Sequence, residues 1–129
     1  MTFFMIQNLF HNLSHVQMNR FNQVLARNTG HGDLVEVQWI DAAAGKANLL
    51  DIATNMFITI SEVGQVVGSV NPQLLHLNVQ GDGSFVIHAV GDAVKRLVLD
   101  EPSGPITSGP TPLADAADFN KQFWVLVEL

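Results

Sequence analysis

Short apolar runs recur along the whole chain, each closed by Gly, Asn, Asp or Pro. In order they read TFFMIQNL, HVQMN, QVLAR, LVEVQWI, ANLLDIA, MFITIS, QVVGS, LLHLNV, SFVIHAV, RLVLD, PITSG and QFWVLVEL. Several alternate strictly, as in Leu34, Val35, Glu36, Val37, Gln38 and Trp39, and again from Phe57 to Ser61. A period of two in runs rich in Val, Ile, Thr and Phe is the signature of half-buried strands, and the runs are too short for ordinary helices. The turn chemistry agrees: Gly30-His31-Gly32-Asp33, Gly81-Asp82-Gly83, Gly91-Asp92 and Pro102-Ser103-Gly104-Pro105 punctuate the pattern, and Ser108-Gly109-Pro110-Thr111-Pro112 opens the longest loop. Two stretches dissent. Residues 16–28 place Phe21, Val24, Leu25 and Asn28 at helical spacing, and residues 113–120 have room for one or two helical turns.

About twelve runs divide into three groups of about four, covering residues 1–42, 43–82 and 83–129 of a single domain. The expectation is an all-β fold, a β-trefoil of three four-strand units, with an open sandwich as the alternative. In a trefoil six strands close a short barrel and three hairpins cap one end, so no unit buries its apolar face alone. The final run, with Phe123, Trp124, Val125, Leu126, Val127 and Leu129, then reads as a closing strand paired on both sides.

Composition narrows the function classes. Of 129 residues, 47% are hydrophobic and 14% charged, enough to bury a core without covalent staples. There is no Cys, which excludes disulfides, thiolate nucleophiles and Cys-ligated metals and suits a cytoplasmic location. The net charge is −6, and the basic residues are scattered except for Lys95-Arg96. That pattern argues against a nucleic-acid partner and against a basic membrane-binding face. The apolar start, MTFFMIQNLF, lacks a positive n-region and a cleavage site, and reads as a first strand rather than a signal peptide. The sequon Asn12-Leu13-Ser14 is then expected to be idle.

In the third unit Phe85-Val86-Ile87, Leu97-Val98-Leu99-Asp100 and Gln122-Phe123-Trp124 resemble the Y-x-I, L-x-L-D and Q-x-W landmarks of ricin-B-like β-trefoils. Gly104-Pro105-Ile106-Thr107 and the ending QFWVLVEL resemble small fungal trefoil protease inhibitors, the mycocypins and cocaprins. In the first unit Gln38 stands directly beside Trp39, and the second unit has no Q-x-W. The resemblance implies an inhibitor, not an enzyme, that blocks papain-like cysteine proteases, or aspartic proteases, with surface loops. It points to His11, Asn12 and Leu13 between the first two strands and to Asn28, Thr29, Gly30, His31 and Gly32 between the third and fourth. Gly30 and Gly32 would admit close backbone approach, though plain turn chemistry also accounts for them.

Other chemistries find less support. His11 and His15 are spaced i, i+4, which joins them on a metal only in a helix, and no HExxH occurs, so no metal or other cofactor is expected. His76 and His88 are expected to pair or to lie at a polar edge. Ser14 beside His15 is sequence adjacency without a G-x-S-x-G elbow. The alternative function is a glycan-binding lectin, with Asp100, Asn120 and Gln122 as its polar set. No Phe, Trp or Tyr lies between 101 and 118 to stack on a sugar, and Trp39 and Trp124, in apolar strands, read as core. Lys95-Arg96 on an exposed loop and the Ser108–Lys121 loop are further binding candidates, and a storage protein with no tight ligand is a third class.

Overall fold

The computed structural model describes residues 3–109 and 119–128. Among these residues thirteen strands form: β1 (Phe3–Asn8), β2 (His15–Met18), β3 (Val24–Arg27), β4 (Val35–Asp41), β5 (Lys46–Asp51), β6 (Met56–Ile60), β7 (Val66–Ser69), β8 (Leu75–Val79), β9 (Phe85–Ala89), β10 (Asp92–Val98), β11 (Gly104–Pro105), β12 (Thr107–Gly109) and β13 (Trp124–Glu128). One 3-10 turn, Phe119–Gln122, precedes the last strand. No described helix is long and apolar enough to cross a membrane.

Six strands close on themselves. β1 pairs with β4, β4 with β5, β5 with β8, β8 with β9, β9 with β13, and β13 returns to β1. Closure removes the exposed edges that an open sandwich would leave. The hairpins β2–β3, β6–β7 and β10–β12 cap one end. They interlock in a cycle: Gln23 pairs with Val67, Gln65 with Thr107, and Pro105 with Leu25. Each hairpin thus hands its first cap position to the third position of the next, and the middle positions, Val24, Val66 and Ile106, are all buried. This is the pseudo-threefold arrangement of a β-trefoil.

The barrel registers align the three units. Asn8 faces Trp124, Asp51 faces Val35, and Ala89 faces Leu75. Ile6, Leu49 and Ile87, two residues before the first member of each pair, are fully buried, one from each unit. The same alignment corrects the landmark in the first unit. The equivalents of Gln122-x-Trp124 are Asp33-x-Val35 and Gln73-x-Leu75, not Gln38-Trp39. Hydrogen bonds confirm it: Met18 N–H donates to Asp33 Oδ2 at 2.9 Å, as Ile60 N–H donates to Gln73 Oε1 at 2.6 Å. Aliphatic residues fill two of the three Trp positions, which hid the repeat.

Residues 16–28 form β2, a turn and β3 instead of a helix. Asn19 Oδ1 accepts from the N–H groups of Phe21 at 2.9 Å and Gln23 at 3.0 Å, and Asn22 adopts φ 62°. Asn side chains that satisfy turn amides outcompete helical bonds there, and Phe21 is left 69% exposed. Most of the proposed helix at 113–120 and the middle of the Ser108–Lys121 loop lie outside the described residues.

Trp124 is fully buried and its indole N–H donates to Leu97 O at 3.0 Å. Trp124→Ala removes that bond and opens a cavity where the barrel closes. It is expected to cost about 3–5 kcal/mol, measurable by urea denaturation.

Candidate functional site

Three segments meet beside the cap: the loop between β1 and β2, the loop between β3 and β4, and the turn between β10 and β11. Gly30 N–H donates to Leu13 O at 2.9 Å and joins the first two. Ser14 Oγ–H donates to Pro102 O at 2.5 Å, Asn28 N–H to Ser103 Oγ at 3.0 Å, and His11 Nε2 lies 3.1 Å from Asp100 O, which ties in the third. Below them Asn8 Oδ1 accepts from Phe10 N–H at 3.1 Å and His11 N–H at 2.9 Å, while its amide donates to Lys121 O at 3.0 Å. Gln7 donates to Asn12 O, and Gln17 to His31 O at 3.1 Å. The backbone of both loops is therefore fixed from beneath, while the side chains of Asn12, Leu13, Thr29 and His31 face solvent.

Phe10 is 44% and Leu13 56% exposed. Asn12, Asn28, Thr29 and His31 are also exposed. The Phe10 ring meets the His11 ring edge-on at 4.8 Å, and Lys121 Nζ lies 5.4 Å from its centroid. The two glycines play different parts. Gly30 has φ 77° and open space where a Cβ would be. A Cβ on Gly32 would fall 2.6 Å from His15 Cβ, so this glycine serves the chain's own packing.

The alternative sugar set divides between buried and exposed positions. Gln122 is buried, its Oε1 accepting from Arg96 Nη1 at 2.6 Å and its Nε2 donating to Phe119 O at 3.0 Å. Both ends of its amide are thus engaged within the chain. Asp100 and Asn120 are exposed. Lys95 and Arg96 lie in β10, not on a free loop: Arg96 Nε donates to Ala93 O at 2.8 Å, and Lys95 Nζ reaches Glu62 O at 2.9 Å and Asp92 at 3.8 Å. Ser14 and His15 are buried, Ser14 donating to Pro102, so neither is placed for nucleophilic attack on a substrate. His76 and His88 face each other across β8 and β9 with rings 4.7 Å apart. Among the described residues no group of three His, Asp or Glu is placed to hold a metal. Trp39, expected in the core, is 39% exposed at the far end of β4.

Sequence reasoning missed a carboxyl pair at the root of the β3–β4 loop. Asp51 is fully buried; its Oδ2 accepts from Thr54 N–H at 3.1 Å and Thr54 Oγ–H at 2.7 Å. Its Oδ1 has no hydrogen-bond partner among the described residues, and the neighbouring acid is Asp33. Burial first, and the Asp33 carboxyl second, push the Asp51 pKa up to about 7, against the lowering effect of Thr54. Asn8 occupies the equivalent place in the first unit, where its amide N–H supplies the donor that Asp51 lacks unless protonated. The equivalence of Asn8 and Asp51 is the signal that would have found the pair, and it becomes visible only once the units are aligned.

No family model matches the chain, and no curated protein matches it in sequence. Solved structures do match. The chain is similar to ThreeFoil, a designed 3-fold symmetric protein, with TM-score 0.76 and 14% identity over 98% of this chain and 99% of that one. It is similar also to a mosquitocidal holotoxin, with TM-score 0.77 and 12% identity over 99% of this chain, which spans 17% of the holotoxin's length. At these identities the likeness is one of fold, and it places the chain among β-trefoils.

The carboxyl pair makes stability depend on pH. Between the ordinary value of 3.8 and about 7, folded Asp51 holds a proton that the unfolded chain has released, so its contribution falls as pH rises through that window. Asp51→Asn is neutral throughout and reproduces the solution at Asn8. Its melting temperature relative to the parent is expected to rise from pH 4 to pH 7 and to exceed the parent's above pH 7, as read by thermal melts across that range. A pH-independent difference would refute the assignment.

Proposed function

We propose that the protein is a protease inhibitor that docks the β1–β2 and β3–β4 loops into the active-site cleft of a papain-like cysteine protease. One observation carries the reading: two adjacent loops, cross-linked by the Gly30–Leu13 hydrogen bond, hold Phe10 and Leu13 exposed on a fixed backbone. A loop already ordered loses little conformational entropy on docking, so more of the contact energy remains as affinity. Leu13 supplies the apolar contact, Thr29 and His31 supply hydrogen-bonding groups, and Gly30 leaves room for a cleft wall to approach its backbone. The mode is occlusion rather than catalysis, and it needs no cofactor. The fungal trefoil inhibitors that the third unit resembles support the target class, with aspartic proteases as a second target. Absence of Cys fits a cytoplasmic setting for such an inhibitor.

Titration of papain, with pepsin in parallel, tests this directly. Micromolar protein is expected to inhibit papain; activity untouched at that concentration would overturn the proposal. Leu13→Asp, at an exposed position, is expected to weaken inhibition about tenfold, equivalent to ~1.4 kcal/mol, while shifting stability by no more than about 0.5 kcal/mol. Val63→Asp, at an 83% exposed site on the β6–β7 hairpin, is the matched control and is expected to inhibit normally.

A further inference from the structure

The β3–β4 loop, with Thr29, Gly30 and His31, is anchored at its far end by Asp33. The Asp33 N–H donates to Val16 O at 3.0 Å, and its Oδ2 accepts from Met18 N–H at 2.9 Å, so one residue pins the loop to β2 twice. The next residue ties the root to the end of β5, Leu34 O accepting from Ile52 N–H at 2.9 Å.

Asp51 stands behind this anchor. It ends β5 and is fully buried, and Thr54 satisfies its Oδ2. Its Oδ1 has no hydrogen-bond partner among the described residues, and the Asp33 carboxyl lies within hydrogen-bonding reach of it. Two ionised carboxylates only accept, so neither satisfies the other. A proton on Asp51 turns the contact into a hydrogen bond. Equivalent positions elsewhere carry amides. Gln73, in the place of Asp33, accepts from Ile60 N–H at 2.6 Å and donates to Ile60 O at 3.0 Å. Asn8, in the place of Asp51, has an amide donor of its own. At Asp33 and Asp51 both donors are replaced by carboxyl groups, and only a proton restores one.

Asp33 is the charged group that acts on Asp51. Thr54 from the β5–β6 turn and Val35 and Met56 from the flanking strands bring no charge, nor does Met18 of β2, whose Sδ lies 3.3 Å from Thr54 Oγ1. The titratable neighbours on β4 and β2 are engaged elsewhere: Glu36 accepts from Gln38 Nε2 at 2.6 Å, and His15 Nδ1 lies 3.1 Å from Leu13 O. Once Asp51 loses its proton, two like charges meet away from water, where their repulsion is weakly screened. Asp33 is the member that yields, because it belongs to a loop, whereas Asp51 is held in the ladder by Val35 on one side and Met56 on the other. We propose that this carboxyl pair is a proton switch for the inhibitory surface: the protonated pair locks the root of the β3–β4 loop, and loss of the proton releases the loop and weakens protease binding. The switch rests on the reading of that loop as an inhibitory one. A papain-like protease in mildly acidic surroundings meets the ordered loop; above neutral pH the loop must be re-ordered on docking, which costs affinity. Asp51 acts through Asp33 and is a positioning residue.

Two measurements on the full chain, parent and Asp51→Asn, test the switch. Hydrogen-exchange protection at the Gly30 and Asp33 amides, corrected for the intrinsic rate at each pH, is expected to fall several-fold in the parent between pH 5.5 and pH 8.5 and to stay level in Asp51→Asn. The inhibition constant for papain is expected to follow. Its parent-to-variant ratio, in which papain's own titrations cancel, is expected to be near unity at pH 5.5 and several-fold higher at pH 8.5. Asp33→Asn removes the same charge from the loop side and keeps an oxygen for Met18 N–H. It is expected to flatten both profiles, and it decides the matter should Asp51→Asn fail to fold. Protection that is constant with pH, or that falls equally in parent and variants, would overturn the switch, and so would a papain ratio independent of pH; the inhibitor reading would survive either result. No papain inhibition at any pH, with protection still falling in the parent alone, would overturn the inhibitor reading and bear out the switch in the loop.

Discussion

The ladder between β1 and β13 closes the barrel, and the rest of the structure depends on that closure. Five pairs run from Phe4↔Glu128 to Asn8↔Trp124 and join the first unit to the last. Each unit has an apolar face that only the other two can cover, so the core containing Ile6, Leu49 and Ile87 exists only when the ring is complete. The last pair of that ladder also controls the neighbouring surface. Trp124 fills the interior, while Asn8 caps the β1–β2 loop and holds the Lys121 carbonyl. Barrel closure, core packing and the geometry of the exposed loops therefore rest on the same two strands.

Pseudo-threefold symmetry makes the departures informative. Where three units share a backbone position, a differing side chain has been free to vary or has taken on a different task. Trp124, Val35 and Leu75 fill one kind of space with different volumes. Gln122, Gln73 and Asp33 share a position beside the cap, but only the two glutamines carry an amide donor. Asp33 and Asp51 together put two acids where the first unit has Asn8, which sets a local cost at neutral pH beside the β3–β4 loop. The loops depart furthest, since the barrel constrains their ends and not their tips.

Much of the architecture was legible in the residues. Alternating apolar runs between Gly, Asn and Pro marked most strands, because a pleated strand with one buried face imposes a period of two. The Gln122 and Trp124 landmarks placed the last unit, and the glycine- and asparagine-rich turns marked the loops that the structure finds side by side. Other features misled. Phe21 at helical spacing suggested a helix, but Asn19 and Asn22 bind their own backbone and leave Phe21 at a hairpin tip. Gln38-Trp39 imitated a landmark that belongs to Asp33 and Val35. Nor did the chain order show that Arg96, distant in sequence, bonds the Gln122 amide.

The sequence by itself determined the strands, the turns and the need for three units to share one core, because these follow from local polarity and backbone chemistry. Only the tertiary structure decided which loops meet and which aromatic residues are covered. The Ser14–Pro102 bond spans 88 residues and depends on closure rather than on any local pattern. Trp39 and Trp124 sit in similarly apolar strands, yet one is half open and the other sealed. The difference is the number of neighbouring strands at each level: among the described residues β1 pairs with β4 at Val35 and Glu36, short of Trp39, while Trp124 lies between β1 and β9.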